Sequence, residues 1–169
     1  MTKSCTKLVY FFLFPIDAFD QITGLFRKEE LHEEKERLSR SLGASKDVNV
    51  LQKVLDFAMS DEIRSQDTPW VIASVSNNMK GREMAWEFVK ANYPKIHDRY
   101  KSGALLTRLC QYTTENFSTY EKAHEVENFF KENFNPAERT IRQCVENISL
   151  NAKWHAKDGN NIRNYFAAM

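Results

Sequence analysis

The sequence predicts an all-α protein, and three observations carry that expectation. Apolar residues recur at helical spacing along nearly the whole chain, and no segment alternates with period two over a strand's length. Helix start and stop signals punctuate the pattern at intervals suited to short connections. Glycine, at 5 residues, and proline, at 4, are too scarce for a hairpin-rich sandwich or barrel.

Phe19, Ile22 and Phe26 open the first apolar stripe. Leu31, Leu38 and Leu42 form a second, with Gly43 placed as a C-terminal stop. Leu51, Val54, Leu55 and Ala58 follow the i, i+3, i+4, i+7 rule of one buried helix face. Thr68-Pro69 predicts a helix start, a capping hydroxyl followed by proline at the first helical position. Residues 70–75 are then apolar on nearly all sides, as in a fully buried short helix. Ala85, Phe88 and Val89 make the next stripe, Ile96 and Tyr100 follow Pro94, and Leu105, Leu106, Leu109 and Cys110 belong to another helix. Ser118-Thr119-Tyr120-Glu121 fits a capping box, with Ala123, Val126, Phe129 and Phe130 behind it. Asn135-Pro136-Ala137-Glu138 supplies a cap, a first-turn proline and a glutamate, after which Ile141, Val145, Ile148 and Ala152 keep the period. Asp158 and Gly159 interrupt it, and Ile162, Tyr165 and Phe166 close a last short helix. About eight or nine helices, paired antiparallel through short turns, read as a HEAT-like α-solenoid, although no strict sequence period accompanies them.

At 169 residues the chain is sized for one domain, here residues 18–166, which contain no linker-like or low-complexity stretch. With 42% hydrophobic and 28% charged residues, wholesale disorder is excluded. Lys+Arg (24) balances Asp+Glu (23), so no global field draws in nucleic acid. Residues 1–17 read as a leader, disordered or loosely docked, whose apolar run could cover an open end of the solenoid. Lys3 and Lys7 before the run 8–14 imitate a secretory signal, but Pro15 and Asp17 interrupt it, and the run is too short to span a bilayer. A cytoplasmic location is expected, with the secretory pathway as the alternative if residues 1–16 act as a signal. Cys5, Cys110 and Cys144 are too scattered for a disulfide framework, and the last two fall on apolar stripes as small hydrophobes.

Catalytic chemistry is thin. His32, His97, His124 and His155 lie far apart in sequence. The segment His32-Glu33-Glu34-Lys35-Glu36 approaches the H-E-x-x-H zinc helix but holds Glu36 where the second imidazole must stand. Carboxylate pairs such as Glu29/Glu30 and Asp61/Glu62 read as helix-end and surface charge. The chain has no G-x-S-x-G elbow, no P-loop and no G-x-G-x-x-G. No catalytic residue and no metal ligand is assigned.

Four segments nonetheless carry a resemblance: residues 33–43 (EEKERLSRSLG), 54–69 (VLDFAMSDEIRSQDTP), 105–109 (LLTRL) and 138–154 (ERTIRQCVENISLNAKW). With Gly81-Arg82, Ala85-Trp86 and Phe88-Val89-Lys90 between them, they resemble the C-terminal helical domain of puromycin-sensitive-type zinc aminopeptidases. That family includes the endoplasmic-reticulum aminopeptidases. The resemblance implies a concave helical bowl covering an active site that lies in another domain. The family's H-E-x-x-H helix, distant glutamate ligand and G-x-M-E-N segment are absent from this sequence. Zinc therefore belongs to the family's catalytic domain, and no cofactor is assigned to these residues.

The resemblance also implies a peptide contact at Arg108, whose counterpart tends to point into the peptide chamber; a salt bridge between helices is the competing role. Arg64 and Arg139, flanked by Glu62 and Glu138, are further peptide-binding candidates that also read as structural pairs. Ile148, Trp154 and Phe166 match a family packing cluster and are expected in the core. His155 and Tyr165 depart from the residues usual in relatives. Two functions are expected as alternatives. One is a non-catalytic C-terminal domain, or truncated relative, that caps the peptide chamber of an aminopeptidase catalytic domain and contacts peptide substrate. The other is a free-standing helical scaffold for a protein or peptide partner.

Overall fold

The computed structural model describes residues 18–101, 103–133 and 138–169. The leader and the predicted Asn135-Pro136-Ala137 cap lie outside the described residues. Within them are eight α-helices: α1 (Ala18–Lys28), α2 (His32–Ser41), α3 (Val48–Ala58), α4 (Thr68–Ser76), α5 (Arg82–Tyr100), α6 (Ala104–Thr114), α7 (Tyr120–Glu132) and α8 (Glu138–Ala167). A 3₁₀ turn at Leu42–Ala44 extends α2. No strand occurs among the described residues.

The helices pack as two rows. In one row, α2 meets α4, α4 meets α6 and α6 meets α8. The other row is stitched by aromatic edges: Phe57 of α3 takes Phe19 and Phe26 of α1 at 6.2 and 5.4 Å. Farther along it, Trp86 and Tyr93 of α5 meet Phe129 of α7 at 5.3 and 5.2 Å. Edge-to-face rings at these separations add to their area burial, roughly 0.5–1.5 kcal/mol per pair. Helix α4 is central, packing against α2, α3, α5 and α6. Its Val71, Ile72 and Val75 are fully buried and Trp70 is half-buried, as the all-round apolar pattern predicts.

Such enclosure requires close approach at the C-terminal end of α4. A Cβ on Gly43 would lie 2.3 Å from Ser74 Oγ and 2.4 Å from the Ser74 carbonyl carbon. A Cβ on Gly81 would lie 2.5 Å from the Val75 carbonyl oxygen. Gly43 thus corrects the sequence expectation: it sits inside the 3₁₀ turn without positive φ, selected for contact with α4 and not for a left-handed stop. Thr68 is corrected too. It is already helical, Asp67 holds the cap position, and the buried Thr68 hydroxyl donates to the Ala58 carbonyl at 2.9 Å, closing the end of α3.

Other boundaries shift for identifiable reasons. Thr119, not Ser118, caps α7, accepting from the Lys122 amide at 3.2 Å. Helix α5 runs through Pro94, which is exposed. Burial of Trp86, Val89 and Tyr93 before it and Ile96 and Tyr100 after it holds the two halves in line, and the Tyr100 hydroxyl donates to the Ser65 carbonyl at 2.5 Å. Helix α8 likewise continues through Asp158 and Gly159, the glycine costing about 1 kcal/mol relative to alanine without ending the helix. Carbonyls just past the C-terminal ends of α2 and α6 are taken by side-chain amides. Asn78 Nδ2 donates to Gly43 and Ser45, and Asn151 Nδ2 donates to Glu115 and Phe117. The two clamps reach back 35 and 33, and 36 and 34, residues respectively, a structural period that no sequence repeat announces.

Cys110 and Cys144 are buried free thiols, as expected, and burial pushes both pKa values up. Glu125 of α7 joins the helices of its row. It accepts from the buried Trp86 indole at 2.8 Å, from Lys90 at 2.6 Å and from Lys122 at 2.6 Å. Partial burial raises its pKa, but hydrogen bonds from Lys122, Lys90 and Trp86 outweigh that and hold it at about 2.

Two outcomes follow from this packing. Gly43→Ala should lower stability in urea unfolding by about 1–3 kcal/mol through overpacking against the Ser74 backbone. Gly24→Ala, where nothing lies within 4 Å of the new methyl, should instead hold or raise stability. For Glu125, the folded carboxyl titrates near 2 and the unfolded one near its ordinary 4.5. Its contribution is therefore complete above the unfolded value and lost as pH falls through the folded one. Glu125→Gln should melt below the wild type at neutral pH, with the gap closing between pH 4.5 and 2; a gap independent of pH would refute the assignment.

Candidate functional site

The polar side chains of the even row converge on Trp70. The Arg40 guanidinium of α2 lies 4.7 Å from the indole centroid and that of Arg108, from α6, lies 5.8 Å away. Tyr112, one turn beyond Arg108, backs the same ring at 5.1 Å with a 35° tilt. Helical geometry explains the convergence: Arg108 and Tyr112 are four residues apart on one face of α6, and α4 lies between α2 and α6. Each guanidinium near the indole is favoured by the ring quadrupole, by about 0.5–1 kcal/mol at an exposed site.

The charges around this ring are unevenly balanced. Arg40 donates to Glu36 at 3.1 Å, one helical turn back. Glu36 in turn lies close to His32 and Asp67, their ligand atoms within 4.8 Å of one another. Arg64 enters this cluster, donating from Nε to Asp67 at 2.9 Å while its Nη2 lies against the His32 ring. Arg108 is exposed and makes no ion pair with a described carboxylate.

The three arginines singled out in the sequence thus part company. Arg64 and Arg108 lie at opposite ends of one contact chain running through Asp67, Glu36, Arg40 and Trp70. Arg139, exposed in the first turn of α8, makes none of these contacts. Their neighbours in sequence are not their partners. Glu62 forms a two-point pair with Arg27, at 2.6 and 2.9 Å, and Glu138 pairs with Arg142 at 3.0 Å. Arg40, Trp70 and Tyr112 were not site candidates by sequence. A signal did exist, since two aromatic residues on helices that flank arginines are a possible cation–π cluster, but only the packing of α2, α4 and α6 brings them together.

Among the described residues, two groups could offer ligand atoms to a metal ion: His32/Glu36/Asp67 and Glu83/Glu87/Glu125. Both are threaded by protein cations, Arg64 and Arg40 in the first and Lys90 and Lys122 in the second. Each is an ion-pair network in which the carboxylates already have counter-charges.

The far end of α8 corrects a further expectation. Ile148 is fully buried, but Trp154 is 56% exposed and Phe166 68% exposed. Ala152 is the last buried residue of the helix, and beyond it no helix among the described residues covers the side chains. The apolar stripe of Trp154, Ile162, Tyr165 and Phe166 is left open to solvent. No helix among the described residues is long and apolar enough to cross a membrane.

Comparison with known proteins accounts for this helical array. The ERAP1-like C-terminal domain family matches residues 15–150. Aminopeptidase M1 of Arabidopsis thaliana is 35% identical over 138 residues, covering 81% of this chain and 16% of that protein. Aminopeptidase M1-B of Oryza sativa subsp. japonica is 31% identical over the same length, with the same two shares. Aminopeptidase N of Homo sapiens is 33% identical over 135 residues, 76% of this chain and 14% of that protein. The chain belongs to the ERAP1-like C-terminal domain family, the C-terminal domain of the M1 aminopeptidases. It spans about a sixth of the length of the curated relatives it matches.

Proposed function

We propose that this chain acts as the non-catalytic C-terminal domain, or a truncated relative, of a zinc aminopeptidase, capping the peptide chamber and touching the peptide substrate. The observation that carries the reading is the family match over residues 15–150, in a chain whose sequence lacks an H-E-x-x-H pair. Zinc and the hydrolytic groups then reside in the catalytic domain, and this HEAT-like array supplies a wall. Arg108 is the leading peptide contact, because its guanidinium is exposed and without a described counter-carboxylate. Arg64, with one edge engaged by Asp67, is a weaker one, and Arg139 would act apart from both.

The test is complementation. Arabidopsis aminopeptidase M1 lacking the region matched here should regain peptide hydrolysis when co-expressed with this chain. The chain by itself should show no hydrolysis and retain no zinc through purification. Failure to bind or restore the shortened enzyme would overturn the reading.

A second reading is a free-standing helical scaffold, and the open stripe of Trp154, Tyr165 and Phe166 favours it, since such a surface suits a protein partner. Immunoblotting of the endogenous protein with an antibody to residues 138–154 separates the two. A band near 19.8 kDa goes with a stand-alone scaffold or a cap acting in trans. A band several-fold larger goes with a domain of a complete aminopeptidase.

A further inference from the structure

We infer that His32, Glu36 and Asp67 form an exchangeable site for a divalent ion of the zinc type, which bridges α2 to α4 when Arg64 swings out of the cluster. The inference is independent of the peptide-contact reading and concerns no hydrolytic chemistry.

Three observations lead to it. First, the donors converge. His32 and Glu36 stand one helical turn apart on α2, the i, i+4 spacing at which two side chains of a helix reach one ion, and Asp67 arrives from the start of α4. Their ligand atoms lie within 4.8 Å of one another. Bonds of about 2.0–2.2 Å to zinc ask for donors about 3–3.5 Å apart, a closure that rotation of the half-buried His32 and Glu36 side chains supplies. Residues 32–36 lack the second imidazole of a zinc helix; an oxygen at Glu36 and a third ligand distant in sequence complete the set.

Second, Asp67 forgoes the task its position offers. It is buried at the cap position of α4, yet its carboxylate accepts no capping hydrogen bond from the helix amides. It turns toward α2 instead, with Oδ2 3.8 Å from His32 Nε2.

Third, the cluster already holds a cation in the place an ion would take. Arg64 donates from Nε to Asp67 Oδ2 at 2.9 Å while its Nη2 lies against the His32 ring. A guanidinium only donates, so the ring nitrogen facing it presents a lone pair, the form in which imidazole binds a metal. The Arg64 side chain is 51% exposed and has solvent to swing into. Each carboxylate is tied to an arginine through one oxygen, Asp67 through Oδ2 and Glu36 through Oε1, which accepts from Arg40 at 3.1 Å. Glu83, Glu87 and Glu125 make no such case: they offer no nitrogen, and the lysines that join them, Lys90 and Lys122, are only 23% and 20% exposed. One imidazole with two carboxylates suits zinc, cobalt or nickel above magnesium or calcium. Because Arg64 competes and the protein supplies three ligands, the ion exchanges readily, and the chain leaves purification without it.

The test titrates the metal-free full chain with zinc chloride alone, following the heat of binding and the imidazole resonances of protein labelled with ¹⁵N-histidine. His32 should shift at lower zinc than His97, His124 and His155, and the melting temperature should rise until EDTA reverses it. His32→Gln should weaken zinc binding at least about tenfold. Glu36→Gln, which keeps the size of the side chain, should do the same, so the site stays testable if one variant fails to fold. Arg64→Gln removes the resident cation and should tighten binding about tenfold. Arg142→Gln, the same charge change on α8, should leave the affinity unchanged. A His32 resonance unmoved in about 1 mM zinc would overturn the site. So would an affinity indifferent to His32→Gln and Glu36→Gln, or one that Arg64→Gln fails to raise or raises no more than Arg142→Gln does. None of these outcomes bears on complementation of the shortened aminopeptidase, which tests the proposed function separately.

Discussion

Helix α4 must be enclosed on nearly every side, because it has no polar face to give to water. Its nine residues include three fully buried aliphatic side chains and only one residue, Trp70, that carries a large half-exposed group. Neighbouring backbones therefore have to come within contact distance. Gly43 and Gly81 permit this at Ser74 and Val75, where a methyl group would have nowhere to go. The buried hydroxyls of the helix look outward for the same reason: Thr68 closes the end of α3, and Ser76 donates to the Tyr112 carbonyl of α6 at 2.9 Å. Both rows of helices are arranged around this core.

The same enclosure creates the polar cluster of the even row. Because α4 lies between α2 and α6, its one large exposed ring is the point at which side chains from both neighbours arrive. The two ends of the cluster differ in electrostatic state. Around Asp67 and Glu36, arginines and carboxylates satisfy each other, so that end is structural in character. Around Arg108 the cationic charge has no described counterpart. The odd row shows the opposite economy at Glu125, where one carboxylate serves two lysines and a buried indole and ties α5 to α7.

Helical content was readable because each stripe is a local property. The spacing of Leu51, Val54, Leu55 and Ala58 places them on one face whatever lies opposite, and all four are buried. Caps and breaks were less legible because they are decided by competition. Thr119 displaced Ser118 by one residue, since either hydroxyl suits a helix start. Pro94 and Gly159 did not end their helices, because in one case packing on both sides and in the other simple continuation outweighed a modest local penalty. Family resemblance marked Arg108 but not its companions. Trp70 read as one more apolar residue of a buried helix, and Arg40 as part of a charged helix face.

The sequence by itself determined the all-α class, the run of amphipathic helices over residues 18–166, the buried thiols and the family. All of these rest on periodicity and on segments contiguous in the chain. Tertiary structure alone decided which cations find partners. Arg27 takes Glu62 from 35 residues away, Arg64 takes Asp67 and the His32 ring, and Arg108 is left facing Trp70 without a described carboxylate. It also decided that, among the described residues, the last turns of α8 stand clear of the core. Pairing and burial depend on what lies opposite a side chain, and that is set by how helices stack, a relation between residues distant in sequence which no local pattern encodes.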